Sequence, residues 1–149
     1  MKRQIIRNST TTAFVLLATL AMSATAEARD TRSRVECTAT GQTDISMRAR
    51  YEVRTGGRNR EKFTTEFEAG PTAGFRAGNR LKVKVKRATV GRMRLERLVD
   101  GDLVADLNFD TRRQADARPF PSNWPEGVGR GTKIRILRGR TRVLGCTLS

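Results

Sequence analysis

Histidine is absent from all 149 residues, and cysteine occurs only twice. Without imidazole there is no Ser-His-Asp or Cys-His catalytic arrangement, and no zinc site built on histidine. The cysteines, Cys37 and Cys146, form no C-x-x-C pair, so a redox-active dithiol is not expected. Aromatic residues make up 5% of the chain, with one tryptophan, one tyrosine and six phenylalanines. Beyond residue 28 there is no long apolar run and no sustained i, i+3, i+4 pattern of an amphipathic helix. Acidic residues are outnumbered: 15 Asp and Glu stand against 30 Lys and Arg, a net charge of +15. At 37% hydrophobic residues the chain is lean, yet it lies outside the range of disordered sequences.

What is present begins with a targeting segment. Lys2, Arg3 and Arg7 precede an apolar run over 13–22, and no acidic residue occurs before Glu27. Ala24-Thr25-Ala26 and Ala26-Glu27-Ala28 both fit a small-residue cleavage site, so residues 1–28 read as a secretory signal peptide. The run is too short to span a bilayer, and no cysteine at the cut invites a lipid anchor. Residues 29–149 are expected to be one exported β domain, periplasmic or secreted, with no transmembrane segment. In an oxidising compartment Cys37 and Cys146 are expected to close it with one structural disulfide; two separate buried thiols are the alternative.

Period-two alternation dominates the mature chain. From Ile45 to Arg54 every odd position is apolar or small and every even one polar, and Phe63, Thr65, Phe67 and Ala69 alternate likewise. Setting Arg54 opposite Arg60 across the Gly56-Gly57 turn brings Glu52 to Lys62, Arg48 to Glu66, Tyr51 to Phe63 and Met47 to Phe67. Further strands are expected at Arg34–Thr40, through Leu81, Val83 and Val85, through Met93, Leu95 and Val99, and over Leu103–Phe109. A three-residue loop, Asp100–Asp102, joins the last two, with a bulge or strand end near Arg97. Ile134 and Ile136 turn back at Gly139 through Leu144, Cys146 and Leu148. Seven or eight short strands imply an all-β chain, an antiparallel β-sandwich of immunoglobulin-like architecture or a small barrel. The resemblance to immunoglobulin domains is architectural only, because their Cys…Trp…Cys spacing is missing.

Three features are candidates for function. Lys82, Lys84 and Lys86, flanked by Arg80 and Arg87, place three ammonium groups on one face of a strand, where an anionic polymer could bind. The competing expectation is that this is an edge strand whose lysines only block aggregation. Residues 111–132 carry Phe120 and Trp124 among Pro119, Pro121 and Pro125, beside Arg112, Arg113 and Arg118. This long loop either displays its rings to a partner or a sugar, or folds back to plug one end of the core. Asp106-Asn108-Asp110 begins like a calcium loop but lacks its glycine and its final glutamate, so a strand face with Asp110 opposite Arg92 is expected instead. Glu66 and Glu68 share a face, but Arg48 opposite Glu66 would hold it ionised, which argues against acid–base work.

These readings imply a non-catalytic, monomeric, exported protein that binds a protein partner or envelope component, or has a structural role, without cofactor or metal. An anionic envelope polymer (lipopolysaccharide, cell-wall polymer or nucleic acid) held by the Lys82, Lys84 and Lys86 strand is the main alternative, and a small hydrolase comes third. Export disfavours nucleic acid as a partner despite the charge.

Overall fold

A computed structural model describes residues 30–57 and 59–149; the expected secretory segment lies outside them. The chain is all-β, in two antiparallel sheets. The first sheet holds β1 (Thr31–Thr40), β2 (Ile45–Thr55), β3 (Arg60–Ala69), β6 (Glu96–Arg97) and β7 (Leu103–Asp110), in the order β1-β2-β3-β7-β6. The second holds β4 (Arg80–Val85), β5 (Ala88–Arg94), β8 (Lys133–Arg138) and β9 (Thr141–Thr147), in the order β5-β4-β8-β9. The meander β1-β2-β3 in one sheet departs from the immunoglobulin order, which sends its third strand to the opposite sheet.

Alternation decides which side chains turn inward. In β2 and β3 the register is the expected one, with Tyr51 facing Phe63 and Met47 facing Phe67. Phe63 and Phe67 from the first sheet are completely buried, as are Leu81, Val83, Val85, Ile134 and Ile136 from the second. All belong to one hydrophobic cluster, in which each such side chain contributes about 1.5–3 kcal/mol. The sheets pack closely at Gly91, where a Cβ would stand 2.7 Å from a Leu107 methyl and 3.3 Å from the Phe109 ring. Only glycine fits there without displacing them. Cys37 and Cys146 form the expected disulfide, with Cα atoms 5.8 Å apart, and it ties edge strand β1 to edge strand β9.

Three expectations need correction. The stretch through Met93, Leu95 and Val99 is not one strand: β5 ends at Arg94, and the chain crosses to the first sheet through buried Leu95. A continuous strand would have buried Arg97, whereas the crossing leaves it exposed. The loop to β7 therefore runs Leu98–Asp102 rather than Asp100–Asp102, and Val99 is fully exposed at its tip. Asp110 does not face solvent opposite Arg92, which lies in the other sheet; it is buried and paired with Arg60. Finally, β4 is not an edge, because it lies between β5 and β8. No helix among the described residues is long and apolar enough to cross a membrane.

Candidate anion-binding face

Charge is divided unequally between the sheets. The five strands of the first sheet carry eight Lys and Arg and eight Asp and Glu. The four strands of the second carry nine Lys and Arg and no acidic residue. The ion pairs of Glu36, Glu52 and Asp110 all lie within the first sheet. There Glu36 accepts from Arg34 at 2.8 Å and Arg48 at 3.2 Å, and these hydrogen bonds pull its pKa down to about 2. Arg48 thus reaches sideways to Glu36 instead of across to Glu66. Burial works against an ionised Glu52, yet Arg32 and Arg54 hold its carboxyl below the usual range.

On the second sheet inward Leu81, Val83 and Val85 force Arg80, Lys82 and Lys84 outward. Cross-strand register then sets Arg80 opposite Arg94, Lys82 opposite Arg92 and Lys84 opposite Arg135. Like charges facing each other across strands destabilise a sheet, and here three such pairs adjoin on strands without a carboxylate; at the β5 margin Arg80, Arg92 and Arg94 line a depression shared with Glu96, Asp106 and Asp116. Adjacent strands lie about 4.8 Å apart and alternate residues about 7 Å apart, so the cations form a closely spaced grid. Leu137, between Lys82 and Arg142, is the one large apolar side chain on this surface.

Of the residues singled out from the sequence, Arg80, Lys82 and Lys84 share this face. Lys86 does not: it and Arg87 form the β4–β5 turn, where Lys86 has a φ of 53°. The register adds Arg92, Arg94, Lys133, Arg135 and Arg142. Their signal was available, since no Asp or Glu occurs over 69–95 or over 127–149, the two stretches that supply this sheet.

The aromatic part of the long loop turns inward, while its end over 126–132 runs beside Lys86. Trp124 packs with ring centroids 4.8 Å from Phe120, 5.0 Å from Phe63 and 5.9 Å from Phe109. Arg118 bridges Phe109 through its backbone, donating from its N–H to the Asn108 carbonyl at 2.9 Å. This return covers the edge of β7 left open where short β6 ends. Arg112 donates its N–H to the Asp110 carboxylate at 2.9 Å, and Arg113 is exposed. Phe120 and Trp124 are therefore committed to the aromatic cluster rather than held out in solvent.

No family model, curated protein or solved structure matches the chain.

Proposed function

We propose that this is an exported, non-catalytic β-sandwich protein of the cell envelope whose second sheet docks on an anionic envelope polymer. The carrying observation is the set of three like-charged cross-strand pairs on strands that hold no carboxylate. A polyanion laid across them would replace repulsion by attraction. Sugar stacking lends no support, because the tryptophan and its ring neighbours are packed against the core. Residues 1–28 and the disulfide both favour export, since such bonds persist in oxidising compartments. The non-catalytic reading is supported by the missing histidine, by cysteines committed to a disulfide, and by Glu36, Glu52 and Asp110 held ionised by guanidinium groups.

Retention on immobilised lipopolysaccharide and on heparin tests the proposal. Lys82→Glu with Arg92→Glu should elute at clearly lower salt than wild type. Arg32→Glu with Arg34→Glu changes the net charge equally on the first sheet and should elute near wild type. Equal shifts for the two double variants would reduce the effect to net charge and refute a specific face.

A further inference from the structure

Beside the Lys86 end of this face lies an open depression of about 570 Å³, lined by Lys86, Arg87, Arg130, Lys133, Arg135 and Thr132, with Gly127 and Gly131. No carboxylate side chain lines it. Its wall is built around an unusual residue, because φ near 53° is a left-handed conformation that glycine adopts freely and lysine does not. Three hydrogen bonds hold the turn there. The Lys86 N–H donates to the Lys133 carbonyl at 2.9 Å, its own carbonyl accepts from Arg135 Nη2, and its ammonium donates to the Glu126 carbonyl. Glycine would give this turn without strain, so the choice of lysine calls for a reason other than backbone geometry. Arg135 Nε is in addition the only buried side-chain nitrogen among the described residues without a hydrogen-bond partner.

We infer that this depression is a binding site for a phosphate monoester or diphosphate group. Five cations converge with no anion among them, and a carboxylate, with one charge, would leave most of them uncompensated. Guanidinium forks from Arg87 and Arg130 match the paired oxygens of a phosphate, and Arg135 and the ammonium groups add positive charge. The volume falls in the range of small-ligand sites. The inference rests on the anion-binding reading of the second sheet, since Lys133 and Arg135 belong to both, and it adds a discrete seat to a diffuse surface.

The test is titration of the disulfide-bonded protein with sodium pyrophosphate, alongside binding to phosphatidic acid vesicles with phosphatidylcholine vesicles as blank. Wild type should bind at least one of the two phosphate probes. Lys86→Gly, in a backbone glycine prefers, and Arg130→Ala, at an exposed position, should each weaken that binding about tenfold while melting near wild type. Binding of pyrophosphate alone would identify a soluble phosphate, and binding of the vesicles a lipid headgroup. Lys82→Glu with Arg92→Glu should keep the phosphate site while losing polymer retention, which separates the two proposals. No binding to either probe, or wild-type affinity in both Lys86→Gly and Arg130→Ala, overturns the site and leaves the polymer-binding face to stand or fall on its own test.

Discussion

The Asp110 carboxylate, with no side-chain exposure, receives Arg60 Nε at 3.0 Å and 3.1 Å on its two oxygens, and Arg60 Nη2 on one of them. Burial opposes the charged form, but the Arg60 fork and the Arg112 N–H hold Asp110 ionised below its ordinary range. The pair joins the start of β3 to the end of β7, where the chain departs into the long loop.

Arg60→Ala would leave that buried charge without its main partner. The expected loss is about 3–5 kcal/mol in urea unfolding, and Asp110→Ala on the same background should restore part of it. A loss under about 1 kcal/mol for Arg60→Ala would show that water reaches the carboxylate.

Acid should weaken the fold. Glu36 has its pKa lowered from 4.5 to about 2, so the stability it contributes is complete above the unfolded value and is lost as the pH falls toward 2. Glu52 and Asp110 are lowered as well and act in the same direction. Melting temperature should therefore fall through this acidic window, and the fall should be smaller in Glu36→Gln. An identical acid profile in that variant would refute the assignment.

Trp124→Ala removes the ring on which Phe120, Phe63 and Phe109 converge. The expected cost is about 3 kcal/mol, as for large aromatic deletions in cores. Trp124 is the only indole, so its fluorescence should resist iodide quenching in wild type. Fast quenching with unchanged melting in Trp124→Ala would return the loop to a display role.

Cys37→Ser should destabilise by about 2–5 kcal/mol, and native protein should titrate no free thiol. The same edge is also stitched by reciprocal backbone bonds between Glu36 and Ser149, at 3.1 Å and 3.3 Å. Unfolding of the variant should consequently begin by releasing the C-terminal residues, visible as early amide exchange at Ser149.

Local pattern carried much of this fold. The β2–β3 hairpin was legible to the residue because its alternation is unbroken and its turn is short and glycine-rich. What escaped were features set by distant chain. A period of two is the same in either sheet, so nothing local reveals that Leu95 changes sheets. Lys86 left the lysine row because a turn formed without the glycine or asparagine that usually announces one. Asp110 has the parity of a solvent-facing residue and is buried because residues 111–118 fold back beside β7. The place of β4 between β5 and β8 depends on a strand about fifty residues later in the chain. The cationic face was only partly legible for that reason: Arg80, Lys82, Lys84, Arg92 and Arg94 lie close in sequence, whereas Lys133, Arg135 and Arg142 come from the far end of the chain.

The unequal division of charge gives the molecule a permanent electric dipole, with its positive pole on the second sheet. Such a dipole exerts a torque before any contact forms, so the protein should approach a negatively charged boundary already oriented. Once adsorbed it would turn its charge-balanced sheet to the surrounding medium, a surface with little field to recruit another layer. The expected product on an anionic support is thus a monolayer of uniformly oriented molecules that forms more slowly as ionic strength rises.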